Sequence, residues 1–327
     1  MESEKNLKIK PRIGKQFYAL ILLFILSFLG LNIFIAGQAW NFTHFVTSPV
    51  ASGQLNSENT FWNKTKTTFI GVSIPKSIND SVDLDFVEVD TIHGEINLEI
   101  WRFDMEPSKG VVALFHGYNS SKSSLWKEAQ AFYRMGYTVV LTDLRASGGS
   151  DGNQCSFGYY EATDVANTLT WCRNNYPQKK VFLYGVSMGA AAILKSVGSL
   201  HAKPDGIIIQ SSFPSLHNAL QNKMSPMVRS NFITSYLLTF WVGALNNFKA
   251  LDFKSISDAK KVTCPTLVIH GMLDTQVSYE DSKSMYKNLK GPKELATFSK
   301  SGHESILTHE EANWVYLVTN FMQTHNQ

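Results

Sequence analysis

The chain is poor in the residues that would make it a disulfide scaffold, a zinc protein or a nucleic-acid binder. Of its 327 residues only three are cysteine, Cys155, Cys172 and Cys264. They are odd in number and widely spaced, which excludes a disulfide framework and a cysteine metal quartet. Cys264, opening the apolar stretch "TCPTLVIHG", reads as an inert core thiol. There is no H-E-x-x-H, no C-x-x-C and no G-x-x-x-x-G-K, so neither metalloprotease nor phosphate-loop chemistry is indicated. Lys and Arg exceed Asp and Glu by only 30 to 27, with no dense basic stripe, which argues against a nucleic-acid partner. No internal repeat is visible.

What the sequence has instead is a long uncharged run near its start. "FYALILLFILSFLGLNIFIA", Phe17 to Ala36, holds 20 residues without a charge, enough to cross a bilayer core as a helix. Lys5, Lys8, Lys10, Arg12 and Lys15 precede it, and no Lys or Arg follows before Lys64. The positive-inside rule then places residues 1–16 in the cytoplasm, a transmembrane anchor at 17–38, and the rest on the exported side. A cleaved signal peptide is the competing reading, with "GQA" at 37–39 as a weak cleavage site. Secretory apolar regions are shorter, about 7–15 residues, which favours the uncleaved anchor. Residues 39–80 are rich in Ser, Thr and Asn and read as a spacer.

From residue 81 to the end, strands and helices alternate. "SVDLDFVEV" and "INLEIWRF" alternate apolar and polar residues, as an antiparallel pair joined through "DTIHGE" would. "GVVALFHG" is a continuous apolar run, expected of a strand buried on both faces. The pattern continues through "YTVVLTDL", "KVFLYGVS", "GIIIQSS", "TLVIHG" and "KELATFS", each separated from the next by a helical segment. It predicts an α/β fold with a mostly parallel sheet and helices on both faces. A longer insertion, about 213–262, reads as a small helical cap.

"VFLYGVSMGAAAIL" carries the chemistry. Gly185, Ser187 and Gly189 make a G-x-S-x-G at a strand-to-helix turn, where a nucleophilic serine needs glycines for a strained backbone and close packing. A serine hydroxyl is a weak nucleophile without a base, and the base needs an orienting acid. On a parallel sheet these partners belong beyond the C-terminal ends of later strands. Asp274 follows "TLVIHG" and His303 follows "KELATFS", so the order Ser187, Asp274, His303 is that of a nucleophile-elbow hydrolase. For Asp274 a turn or N-cap role is the plain alternative. The oxyanion hole is expected from the backbone N–H groups of Met188 and Tyr118, the latter in "FHGYNSS". His116, His270 and Asp143 read as structural. In the cap, Phe232, Tyr236, Phe240 and Trp241 have helical spacing and read either as an apolar wall over the serine or as a helix packed on the core.

Residues from about 82 to 325 resemble the α/β-hydrolase superfamily, in the branch grouped with serine aminopeptidases and monoacylglycerol-lipase-like enzymes. The pieces that carry the resemblance are "LFHGYNSSKSS", "VVLTDLRASGGSDG", "LYGVSMGAAA", "TCPTLVIHGMLDTQV" and "SGHES". It implies a Ser187–His303–Asp274 triad with Tyr118 and Met188 as oxyanion donors, and no cofactor. Relatives usually carry Gly-His where this chain has Ala146-Ser147, a change expected to bear on substrate fit at the site mouth. A membrane-anchored serine esterase acting on a small or lipid-like ester is the resulting expectation. A peptidase of the aminopeptidase type and a non-catalytic binding protein are the alternatives, and the oligomeric state is left open.

Overall fold

In the computed structural model the described residues are 14–47, 73–82, 87–223 and 232–326. Eight strands form one sheet: β1 (Glu88–Ile92), β2 (Leu98–Phe103), β3 (Val111–Phe115), β4 (Thr138–Thr142), β5 (Val181–Val186), β6 (Gly206–Gln210), β7 (Thr266–Gly271) and β8 (Lys293–Phe298). Their spatial order is β1-β2-β4-β3-β5-β6-β7-β8. β1 and β2 run antiparallel to their neighbours, and β4 through β8 pair in parallel. The hairpin at the edge is tighter than its sequence suggests. Asp90, Thr91 and Ile92 stay in β1 because Ile92 is buried against the core. Residues 83–86, part of the expected first strand, lie outside the described residues.

The central strands read as unbroken apolar runs because both faces of the sheet are covered, and their side chains alternate between the two. Ala113 and Phe115 of β3, Leu183 of β5 and Ile209 of β6 point into one core. Leu114, Tyr184 and Ile208 point into the other. The first core is closed by α3 (Glu161–Asn175) and α4 (Met188–Ser199), and the second by α2 (Trp126–Arg134) and α9 (Leu307–His325). α8 (Tyr279–Asn288) connects β7 to β8 and starts with a capping box, Ser278 and Asp281 bonding each other's backbone amides.

Between β6 and β7 lie α5 (Leu216–Lys223), α6 (Phe232–Leu245) and α7 (Ser255–Ala259). Residues 224–231, inside the expected cap, are outside the described residues.

The N-terminal helix α1 spans Lys15–Thr43, 29 residues with a mean hydropathy of 2.7 over its most apolar window, long and apolar enough to cross a membrane. Its side chains up to Gly30 are exposed, whereas Ile35, Ala39 and Thr43 are buried against the rest of the chain. α6 runs beside α1, and the Trp241 indole N–H donates to Asn32 Oδ1 at 3.2 Å. Past the helix, the Phe45 amide donates to the Asn153 carbonyl, and the Cys155 amide to the Thr43 carbonyl. The segment expected to be a spacer therefore begins as part of the folded body. Its other described end, residues 73–80, is also fastened: Asn79 Nδ2 donates to Asp143 Oδ2 at 2.8 Å, and Ser121 Oγ to the Ile78 carbonyl at 3.1 Å. The middle of that segment, 48–72, lies outside the described residues.

Candidate active site

Ser187 stands between β5 and α4 with φ 54° and ψ −109°, a strained backbone for a residue with a side chain. The strain is held in place by its amide, which donates to the Gln210 carbonyl on β6 at 2.8 Å, and by its carbonyl, which accepts from Ala191. The flanking glycines have no room for a side chain. A Cβ on Gly189 would lie 2.2 Å from the Phe115 carbonyl oxygen, and one on Gly185 would lie 2.7 Å from the Ala190 amide. Helix α4 thus starts against the end of β3.

Asp274 lies just beyond β7 with its carboxylate buried. Oδ1 accepts from the Gln276 and Val277 amides at 2.8 and 2.9 Å, and Oδ2 pairs with His303 Nδ1 at 2.8 Å. Burial alone would raise this carboxyl. His303 and the two amides outweigh it and hold the carboxyl below the ordinary aspartate value, so it stays ionised. An ionised carboxylate only accepts, so Nδ1 carries the proton and Nε2 of neutral His303 is left as an acceptor. Ser187 and His303 line the same cavity of about 430 Å³. Among the described residues no hydrogen bond closes between Ser187 Oγ and His303, and catalytic bonds commonly tighten only when substrate is bound.

The loop after β3 passes beside the serine: a Cβ on Gly117 would sit 3.7 Å from Ser187 Cβ. The amides of Tyr118, next in this loop, and of Met188, first residue of α4, find no acceptor among the described residues. Two free N–H groups next to one serine hydroxyl are what an oxyanion hole requires. The loop is held by a buried polar hub. His116 bonds the Gly117 carbonyl through Nδ1 and accepts the Leu144 amide at Nε2, which fixes it as a neutral, structural histidine. Asp143 accepts the Lys122 and Gly149 amides, and the fully buried Lys122 ammonium pairs with Asp143 and with Glu99. His270 is buried and bonded to Ser282.

The sequence-based expectations separate here. Ser187, Asp274, His303, Tyr118 and Met188 come together from four strand ends and one helix start. Phe232, Tyr236, Phe240 and Trp241 are not among the residues that line the cavity. Phe232 and Phe240 are 68% and 52% exposed, and Trp241 faces α1. The reason is that α6 packs on α1, which turns its aromatic residues away from the serine. Ala146 and Ser147 are likewise buried beside the Asp143 hub and do not open onto the cavity.

The cavity wall also holds groups that sequence reasoning did not find. Glu128 on α2 is fully buried, accepts from Ser305 Oγ at 2.6 Å and leaves its second oxygen unbonded. Burial raises its carboxyl above the ordinary glutamate value, partly offset by Ser305. Lys223, the last residue of α5, lines the cavity with its ammonium 4.4 Å from the Tyr118 ring centre. A narrower slot of about 20 Å³ beside Ser187 is walled by Phe157, Met188, Phe213 and Val277. Among the described residues no cluster of three or more His, Cys, Asp or Glu side chains could hold a metal ion.

Residues 106–257 match the family described as serine aminopeptidase, S33. An uncharacterized protein of Bacillus subtilis, YqkD, is 22% identical over 66% of this chain and 72% of its own length. The lysophosphatidylserine lipase ABHD12 of Danio rerio is 27% identical over 52% of this chain, a match that spans only 43% of the lipase. Among solved structures, the Pyrococcus furiosus esterase Pf2001 superposes with a TM-score of 0.62 at 21% identity, covering 77% of this chain and 99% of the esterase. The fold expected from the alternation of strands and helices is the fold of that esterase.

Proposed function

We propose that this chain, which belongs to the α/β-hydrolase superfamily, is a membrane-anchored serine hydrolase that cleaves carboxylic esters. The observation that carries the reading is His303, bonded through Nδ1 to the buried Asp274 carboxylate and lining one cavity with a strained Ser187. His303 Nε2 takes the Ser187 proton as Oγ attacks the ester carbonyl, and Asp274 stabilises the imidazolium that forms. The Tyr118 and Met188 amides stabilise the oxyanion, and the positive end of α4 adds to them. His303 returns the proton to the leaving alcohol. A water, deprotonated by the same histidine, then releases the acid. The acyl carbons next to the carbonyl rest against Met188, Phe213 and Val277 in the narrow slot. The name of the Danio rerio relative supports a lipid-like ester as substrate.

Helix α1 serves as the anchor in this reading, with its N-terminus in the cytoplasm and the hydrolase body on the exported side. Burial of Ile35 and Ala39 in the body argues against removal of the helix at residues 37–39, since cleavage there would strip side chains from the core. A peptidase of the aminopeptidase type would need an ionised carboxylate for the substrate ammonium. Glu128 does not suit that role, being buried, bonded to Ser305 and raised toward its neutral form.

The test is hydrolysis of nitrophenyl esters of increasing acyl length by the full chain in detergent micelles, beside its Ser187→Ala variant. Turnover that disappears with the hydroxyl supports the reading. Turnover that survives Ser187→Ala, or a wild type inert to every ester, contradicts it.

A further inference from the structure

Lys223 is a cation on the wall of the nucleophile's cavity, with no ion pair among the described residues. It lines both the 430 Å³ cavity and the narrow slot, in each case together with Ser187 and His303. No carboxylate among the described residues lies within ion-pair distance of it, and its ammonium sits over the Tyr118 ring. Solvent reaches the side chain, yet the surrounding protein desolvates its ammonium enough to pull it below the ordinary lysine value. An ammonium partly desolvated in that way, with no carboxylate beside it among the described residues, gains from pairing with an incoming anion.

None of the other ionisable groups lining the cavity forms an ion pair with Lys223 among the described residues. Tyr118 and Cys155 are both raised by burial, so both are neutral. Glu128 is spent on Ser305 and raised by burial. Glu304 is a half-exposed carboxylate held ionised by the Gly302 amide, and its near cationic neighbour is His309 at 3.6 Å rather than Lys223. His303 is committed to Asp274. The remaining lining of the larger cavity includes Asn119, Ser120, Ser124 and Gln210, whereas the slot adds the apolar side chains of Phe157, Met188, Phe213 and Val277.

We propose that Lys223 is a substrate-binding residue that selects esters carrying a negatively charged group, a carboxylate or a phosphate, on the alcohol side of the scissile bond. Met188, Phe213 and Val277 meet the first acyl carbon, and the larger cavity takes the charged alcohol, with Lys223, which lines both, bonding its oxygens. A substrate lacking the charge forgoes the ion pair with the ammonium, and discrimination follows from that difference. The inference rests on the ester-hydrolase reading above.

The experiment uses the full chain in micelles with two matched pairs of substrates. Nitrophenyl butyrate is compared with its ring-carboxylated analogue, and monooleoylglycerol with lysophosphatidic acid, so that the carboxylate and phosphate forms are separated. In the wild type, kcat/KM favours the charged member of at least one pair. In Lys223→Met the charged-to-neutral ratio falls by about tenfold or more, through KM, as expected for one lost charged hydrogen bond. Lys223→Arg restores it. A wild type without preference for either charged ester overturns the inference, as does a Lys223→Met variant that loses equally on both members of each pair. Absence of any Ser187-dependent turnover is a different failure, since it removes the ester-hydrolase reading beneath it.

Discussion

The Tyr118 hydroxyl donates to the backbone carbonyl of Phe42 at 2.8 Å, joining the loop beside Ser187 to the last turn of the apolar N-terminal helix. The same ring stacks on Phe157 at 4.4 Å and packs edge-on against Phe45. The helix that reads as an anchor is therefore also fastened to a loop that lines the candidate site.

Tyr118→Phe keeps both ring contacts and deletes only the donor, leaving the Phe42 carbonyl unsatisfied. The expected loss is about 1 kcal/mol of unfolding free energy, with a smaller change in turnover because the Tyr118 amide is retained. Denaturant unfolding in micelles measures the first and ester hydrolysis the second. An unchanged midpoint would mean that α1 is not energetically tied to the loop.

Asp274→Asn leaves the shape of the site but offers His303 a group that can donate. The imidazole then tends to the tautomer with its proton on Nε2, where it cannot accept from serine. A drop in kcat of about 10⁴-fold is expected, with the thermal transition of the fold retained. A loss of tenfold or less would assign Asp274 to the turn alone, where its second oxygen caps the Gln276 and Val277 amides.

Glu128 gives a pH signature. Its folded value is raised above 4.5 by burial, so between 4.5 and the raised value the folded state holds a proton that the unfolded state has released. Stability contributed by this group is present below that window and is lost as pH rises through it. Glu128→Gln keeps an acceptor for Ser305 and removes the titration. The variant should therefore gain on the wild type as pH rises through the window, read as the difference in unfolding midpoint against pH. A difference that is flat with pH would show that Glu128 does not titrate abnormally.

Ala146 sits at φ 60°, where a side chain is strained and glycine is not. It is buried, and its amide already donates to the Asp151 carbonyl. Ala146→Gly is expected to raise stability by up to about 1 kcal/mol, strain relief being partly offset by the greater freedom of glycine in the unfolded chain. A clear loss of stability would mean that the methyl packing outweighs the strain.

The parts of this molecule that were legible in the sequence are those written in local patterns. Alternation of apolar strands and helices marks the sheet, and G-x-S-x-G marks a turn whose glycines leave no space for a Cβ. Asp274 and His303 were readable because each follows a strand end, where a parallel sheet gathers its functional groups. What the sequence hid depends on pairs far apart in the chain. Phe232, Tyr236, Phe240 and Trp241 have the spacing of a helix, but spacing alone does not say that α6 packs on α1 through Trp241 and leaves Phe232 and Phe240 exposed. Lys223 and Glu128 look like ordinary helix-surface charges, and only the folded chain sets them around Ser187. The Lys122–Asp143–Glu99 hub joins residues from three separate segments and leaves no local signature.

The central claim is that Ser187 is an activated nucleophile, and covalent capture tests it most directly. The full chain in detergent micelles is treated with a fluorophosphonate probe, and the modified peptide is identified by mass spectrometry in the wild type and in Ser187→Ala. The account predicts a single adduct on Ser187, absent from the variant and strongly reduced in Asp274→Asn. A folded wild type that takes up no probe, or an adduct on a different residue, would contradict it.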